Sequence, residues 1–557
     1  MSETLMAGAG RVPQPVPNPG MEMMGWGKPE GRCTTVHTPL ETRALVLCTG
    51  PKTLVIVLVE LCFPAFALRE AILHRLQARL PEAGLGDHEL LLLANHTHAG
   101  PGGYSHDLFY LLNNPGFCPL THNAIVDAAV AAVTQAWSRR APARAFLWRG
   151  EASENDPVVH NRSPDSFARN RTSHPPLDRS MLVMRVDHLD GTPLGCVDWF
   201  AVHCTSVHSD RCMVHPDNKG LAARFLEQHA ADVWGAPDFV ALFAQAASGD
   251  VSPNWRMDRD RGFVVGRHDD DAESAAWNGS VQADLARKVF DAAPADGVAL
   301  GGPLDSRILW IDMDGFTVDS DCADGRPRQT GSATVGLSFL QGTREGPGPL
   351  IPIAPVHGVL ARVLARMAGP ESVHGYKVPF SQPGLGTRGR AFGIFTHGSG
   401  GLPAVDDIVR VVRGLQQTGG QGAGPWMPNR MPVHIWRLGT LAVLSLPVEP
   451  TTHAGRLIRW SASAILAQSG VEHVIVAGYA NSFAGYATTA PEYQLQRYEG
   501  GHTVHGQWTT AAYRTAARQV SRLMAVPVAE RPVDVGPRPE AVPDDVLALR
   551  QFPIPFG

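Results

Sequence analysis

The chain has 557 residues, 44% of them hydrophobic and 18% charged, with a formal net charge of -5. This is the make-up of a folded globular protein, long enough for several domains or one large elaborated one, and it excludes a disordered chain. The slightly acidic balance, with no Lys/Arg-rich run, argues against a nucleic-acid binder.

In chain order, the first 20 residues are rich in Pro and Gly and read as an N-terminal arm outside the core. Leu54 to Cys62 reads as a buried strand, and Ala67 to Leu80 as an amphipathic helix by its 3.6-residue apolar spacing. A second apolar strand begins at Leu90, and an alanine-rich helix covers His122 to Arg139. This strand–helix–strand–helix opening predicts an α/β fold. Ser180 to Asp187 and Pro193 to Val202 flank an Asp190-Gly191 turn, the signature of a hairpin. Helices are predicted over Asn218 to Asp232 and Ala275 to Ala292, and strands over Phe239 to Ala247 and Ile308 to Phe316. Arg256 to Asp271 is charged and irregular, and Gly331 to Gly348 is loop-like. Gly384 to Gly424 is glycine-rich and reads as an insertion or lid. Val433 to Leu446 has strand character, followed by a helix over Thr451 to Gln468, a strand over Val471 to Ala477 and a helix over Thr509 to Met524. Residues 527–557 form a Pro-rich tail without a clear period.

Eight cysteines with no CxxC pair fit free thiols in a reducing compartment. The N-terminus has no basic segment followed by an apolar one, so the expectation is a cytoplasmic protein without a secretory signal. The most apolar stretch, Thr53 to Leu68, is interrupted by Glu60 and Pro64 and is too short to span a bilayer.

Chemistry gathers where apolar strands give out. Leu90 to Tyr104 reads LLLLANHTHAGPGGY, so a buried strand ends in His96-Thr97-His98 and a glycine-rich loop. Open α/β sheets place ligands at such strand ends. On an extended segment both imidazoles point to one face. Three further apolar strands end in His203, in Asp250/Ser252 (GDVSPN) and in Glu449 (LSLPVEPTT). Two histidines and a carboxylate can hold a catalytic zinc ion with a position left for water. Each histidine alone is as compatible with a polar group satisfied at a strand end, and periodicity does not choose between the two.

The segments NHTHAGPGGY (95–104), NRSP (161–164), WFAVHCTSV (199–207), DNKG (217–220), GDVSPN (249–254), LSLPVEPTT (444–452) and GYATTAPEYQLQRYE (485–499) occur in this order. Together they resemble the neutral/alkaline (non-lysosomal) ceramidase family, zinc-dependent amidases that cleave the N-acyl bond of ceramide. The resemblance covers roughly residues 20 to 525, and implies a mixed-sheet, multilayer α/β catalytic domain over 21–526, without the family's C-terminal immunoglobulin-like domain. It implies one zinc ion per chain, with ligands His96, His203, Glu449 and Tyr486. It points to His98 and Arg162 as polar groups near the scissile amide, to Ser252 at the family's essential serine with Asp250 two residues earlier, and to Tyr498 lining the site. The substrate implied is a small-molecule or lipid N-acyl compound. Besides the C-terminal domain and the targeting signal that the family often carries, two further features depart from its pattern: Val448 stands where a glycine usually precedes the ligand glutamate, and the 384–424 region matches no family segment identified in the sequence.

On this reading His98 moves the proton, Tyr498 or Arg162 offsets oxyanion charge, and Ser252 positions the substrate's polar head rather than attacking. Turn capping by Ser252 and a simple Arg162–Asp165 pair are the structural alternatives. Two rival functions are zinc acting as a Lewis acid in cyclisation or acyl transfer, and a non-catalytic scaffold that keeps the fold.

Overall fold

A computed structural model describes residues 4–551 apart from 29, 113, 115, 293–295, 349–353, 370 and 383–424. The glycine-rich 384–424 region of the sequence reading therefore lies outside the described residues. The principal elements are β1 (Met6–Gln14), β2 (Leu40–Thr49), β3 (Lys52–Val59), α1 (Phe66–Arg79), β4 (Leu90–Ala94), α2 (Pro119–Ser138), β5 (Ala141–Glu151), β6 (Ser180–His188) and β7 (Pro193–Phe200). They continue with α3 (Asp217–Val233), β8 (Val240–Gln245), α4 (Asp271–Asp291), β9 (Leu304–Asp312), α5 (Ala354–Ala368), β10 (Arg430–Leu438), β11 (Leu441–Ser445), α6 (Thr452–Leu466), β12 (His473–Ala477) and α7 (Thr509–Ala525).

A large mixed sheet runs in the order β8-β7-β6-β5-β1-β2-β3-β4, and a four-stranded sheet in the order β9-β10-β11-β12. Strands β3 and β4 read as unbroken apolar runs because both faces are covered. Leu54, Ile56 and Leu58 point inward to a core shared with Trp436, Leu441, Val443 and Ile475 of the smaller sheet. Val55, Val57 and Val59 point outward to α1 and α2. Farther along, Cys196, Phe200, Ala241 and Phe243 pack on α3 and α4, and Val433, Ile435, Ala442 and Leu444 belong to the core that includes α6 and α7. The result is four layers, helices–sheet–sheet–helices, matching the expected mixed-sheet multilayer class. Among the described residues, no helix is long and apolar enough to cross a membrane.

Residues 4–20, expected to belong to an N-terminal arm, are instead part of the fold. Residues 6–14 form β1, which lies inside the large sheet between β5 and β2. The glycines that suggested a loose segment have a packing role. A Cβ on Gly8 or Gly10 would come within 2.1 Å of the carbonyl oxygens of Ala136 and Ala132, so only glycine lets the alanine-rich α2 approach this strand so closely. The Val433 to Leu446 segment, expected to have strand character, spans two strands folded back at Gly439-Thr440 into the β10–β11 hairpin. The described part of the tail, residues 528–551, returns to the body. Arg531 pairs with Asp305 at 2.6 Å, and the Arg550 carbonyl accepts from Phe117 N at 2.7 Å.

Three parallel pairs, β3–β4, β7–β8 and β11–β12, position the site. Each pair delivers two chain ends to the same edge, so residues far apart in sequence emerge together.

Candidate metal centre and its cavity

The β4 strand stops at Ala94, and His96 takes a left-handed backbone, φ 74°. That conformation is uncommon for a residue with a Cβ, and such strain collects at functional sites. The sequence reading placed His96 and His98 on an extended segment; a turn at His96 aims the two rings instead. Their Nε2 atoms lie 3.1 Å apart. Tyr479 and Asn481, just past β12, are also left-handed, with φ of 53° and 63°.

His203, at the end of the β7 segment, and Glu449, just past β11, arrive at the same point. Glu449 Oε2 lies 3.4 Å from His96 Nε2 and 3.1 Å from His203 Nε2. Glu449 and Tyr486 are opposite partners in a two-residue parallel ladder, which brings the phenol oxygen to 3.5 Å from His203 Nε2. The four residues that the family resemblance named as ligands thus share one buried point.

The donor set fits a divalent cation. His96 Nδ1 faces the Cys62 carbonyl at 2.5 Å, and His203 Nδ1 faces the Ser248 carbonyl at 2.7 Å. A carbonyl only accepts, so each Nδ1 carries a proton, and each Nε2 is the nitrogen placed to give a lone pair to a cation beside Glu449. Burial first, and then the nearby Arg162 cation, push His203 down to about 4, so the ring is neutral. Two lone pairs and a carboxylate converge, and a cation relieves their mutual repulsion. His96, His203 and Glu449 form one geometrically suitable group; Cys62, His96 and His98 form another. Burial first, then the Glu449 charge, drive the Cys62 thiol well above its usual range, which leaves it a poor thiolate ligand. We therefore take the His/His/Glu set as the centre.

Other groups fix the ligands. Tyr479 donates to Glu449 Oε2 at 3.1 Å, and Ser248 lies 2.9 Å from the Tyr479 hydroxyl. Arg162 Nη2 donates to the Tyr486 hydroxyl oxygen at 2.8 Å. Burial raises the Tyr486 phenol well above its usual range, with Arg162 opposing.

Arg162 does not pair with Asp165, which goes to Arg497. It is buried between Glu345 at 2.8 Å and Glu499 at 3.0 Å. Glu345 also accepts from Ser252, from Thr205 at 3.1 Å and from Asn254 at 2.9 Å. Burial works to raise Glu345, but Arg162 and the Ser252 hydrogen bond prevail and bring it to about 2. Ser252 is thus bound to a carboxylate that is a poor base. Asp250 is buried two residues before Ser252 and, like Ser252, is not in the cavity lining. Its oxygens accept from Thr452 N at 2.7 Å, Thr452 Oγ1 at 2.8 Å and Asn161 Nδ2 at 2.8 Å. That is a structural clamp on the start of α6.

A cavity of about 790 Å³ opens on this centre, walled by His96, His98, Arg162, Glu449, Tyr486 and Tyr498 and extended by aromatic rings. Tyr498 sits with its ring 5.7 Å from Tyr486 and 5.4 Å from Phe339. The sequence reading missed Glu345, Tyr479, Trp26 and His502. Trp26 presents its indole edge-on to His98 at 5.3 Å. Among the described residues, neither ring nitrogen of His502 has a hydrogen-bond partner, although the ring is buried in the cavity wall. Glu345 lies in the glycine-rich stretch read as a loop, and only the rule that a conspicuous charge in a loop is often functional could have flagged it.

Two imidazoles and a carboxylate around one point, in an aromatic cavity of an α/β/β/α sandwich, define a candidate metal-dependent site. The chain belongs to the neutral/alkaline non-lysosomal ceramidase family, whose N-terminal model matches residues 6–352 and 414–515. It is 32% identical over 518 residues to the neutral ceramidase of Pseudomonas aeruginosa, covering 91% of this chain and 70% of that one. It is 31% identical over 541 residues to the neutral ceramidase of Mycobacterium tuberculosis, covering 93% and 76%. Among solved structures, a ceramidase complexed with C2 superposes with a TM-score of 0.79 at 29% identity, covering 97% of this chain and 77% of that one. The crystal structure of the Pseudomonas aeruginosa neutral ceramidase gives 0.77 at 28% identity, covering 98% and 77%. The family match begins at residue 6, in agreement with β1 being part of the domain.

Proposed function

We propose that the protein is a zinc-dependent amidohydrolase that cleaves the N-acyl bond of ceramide or a related N-acyl amine, using water as the nucleophile. The observation that carries this reading is that His96 Nε2 and His203 Nε2 both lie within 3.4 Å of Glu449 Oε2, with His96 and Glu449 in the wall of an aromatic cavity. The names of the similar proteins supply the substrate class.

His96, His203 and Glu449 would hold the ion, with the Tyr486 oxygen beside them. A bound zinc ion supplies Lewis acidity and lowers the pKa of water to about 7. The chain's own groups do the rest. Burial first, and then His96 and His203, push His98 well below its usual range, so its imidazole is neutral before the reaction. Its Nε2, next to that of His96, takes a proton from the attacking water and passes it to the leaving nitrogen. The Tyr498 hydroxyl, which makes no hydrogen bond to a described residue, faces the carbonyl oxygen and donates as charge develops there. Arg162 adds a fixed positive charge, held in place by Glu345 and Glu499. Ser252 acts through Glu345 and is not a nucleophile, because its hydroxyl donates to the Glu345 carboxylate, a poor base, and not to an imidazole. The aromatic rings receive the acyl chain and exclude water from it.

A cytoplasmic location is part of the proposal; the eight unpaired cysteines support it, and cell fractionation tests it. The deciding assay incubates the purified protein with a panel of N-acyl amines, ceramides included, and measures free fatty acid. Release of fatty acid that a chelator stops and zinc restores is the expected result. No release from any member by zinc-loaded protein overturns the hydrolytic reading.

A further inference from the structure

Helix α5 reads APVHGVLARVLARMA and carries no Asp or Glu. It seats His357 and Ala361 against the body and turns Val356, Val359, Leu360, Val363 and Met367 to solvent. At the helical period these five fall within an arc of about 100°, the width of a face meant for an apolar neighbour. Val356 is 70% exposed and Met367 79%, so among the described residues nothing covers them. Exposed apolar stripes of this kind mark interaction sites rather than ordinary surface. Arg362 and Arg366, both exposed, lie together along one flank of the stripe.

The helix also has a telling location. It packs on Leu337–Gln341, whose Phe339 and Leu340 line the catalytic cavity. The apolar stripe is therefore a near neighbour of the cavity wall. An apolar face with basic residues on its flank and no acidic residue suits the boundary between phosphate headgroups and acyl chains.

We propose that α5 is a membrane-surface docking helix: the stripe from Val356 to Met367 enters the headgroup boundary, and Arg362 and Arg366 meet lipid phosphates. This rests on the reading of the substrate as a lipid amide, which must leave a bilayer to reach the centre. Docking beside the cavity shortens that transfer and keeps the lipid's chains out of water.

The test uses the full chain and vesicle sedimentation, which reads binding without activity. Vesicles of phosphatidylcholine alone and of phosphatidylcholine with phosphatidylglycerol (3:1) are the probes. The wild type is expected to bind both, the mixed vesicles more tightly. The double variant Val359→Glu/Val363→Glu is expected to lose at least tenfold in binding to both. Arg362→Glu/Arg366→Glu should lose binding mainly to the mixed vesicles. The milder Val356→Ser/Met367→Ser pair guards against a folding defect. Turnover of a short-chain, water-soluble N-acyl amine should stay within twofold of wild type in all three variants. Absence of vesicle binding by the wild type, or equal binding by the variants, overturns the proposal. So does a wild-type dimer that Val359→Glu/Val363→Glu splits, which would make the stripe an interface between copies. Vesicle binding that the variants lose, in a zinc-loaded protein that releases fatty acid from no N-acyl amine, ceramides included, upholds docking while removing the hydrolytic reading.

Discussion

Arg162 and Glu345, 183 residues apart, form a buried ion pair at 2.8 Å, and the same guanidinium donates to the hydroxyl of Tyr486. One cation thereby ties a loop that the sequence left undefined to the proposed metal centre.

Removing one member of that pair leaves the other charged and uncompensated. Glu345→Ala should cost about 3 kcal/mol or more of stability, the range for a broken buried pair. Glu345→Gln, which keeps the hydrogen-bond acceptor, should cost less. Denaturant unfolding measures both, and kcat/KM should fall in each because Arg162 loses its anchor.

The ligand set separates by metal content. His96→Ala and Glu449→Ala should abolish zinc binding and turnover together, whereas His98→Ala should retain zinc and lose turnover. Tyr486→Phe should bind zinc roughly tenfold to a hundredfold more weakly, the usual consequence of disturbing a ligand's support. Elemental analysis with parallel kinetics reads all four, and equal zinc loss in His96→Ala and His98→Ala would refute the division of labour.

Chelation should destabilise the fold as well as silence it. An ion that binds only the native state adds about 3 kcal/mol once its free concentration is a hundred times Kd. The melting temperature should fall on treatment with a chelator and return with zinc. A melting temperature indifferent to chelation would argue that these residues hold no ion.

Ser252→Ala should lower turnover modestly through a slackened Glu345–Arg162 pair, with no covalent acyl-enzyme detectable by intact mass during turnover in the wild type. An adduct on Ser252 would make it a nucleophile after all.

Asp198 sets a pH dependence away from the catalytic centre. Its oxygens have no hydrogen-bond partner among the described residues, and burial raises the carboxyl from 3.8 to about 7, against the pull of Lys219. The folded state therefore holds this proton more tightly than the unfolded chain. Its contribution is fully present below pH 3.8 and is lost as pH rises through about 7. The loss is about 4 kcal/mol on the linkage scale. Asp198→Asn should match wild type near pH 4 and exceed it above pH 8, as followed by urea unfolding at several pH values.

The family and most of the regular elements were legible in the chain itself. Buried strands covered on both faces produce apolar runs such as LVIVLV and LLLLA, and α2 and α7 show their helical period plainly. The motif order carried the four proposed ligands, Tyr486 included, although no spacing argument could select a phenol. The N-terminal strand was not legible, because MAGAG has the composition of a loop until α2 is seen lying against Gly8 and Gly10. The Glu345–Arg162–Tyr486 chain, the place of His502 in the cavity wall and the hydrogen bonding of Asp250 to the start of α6 were equally hidden. Local pattern records which residues want burial and at what period. It does not record which side chains meet across parallel strand ends hundreds of residues apart, and only the packing of the two sheets decided that.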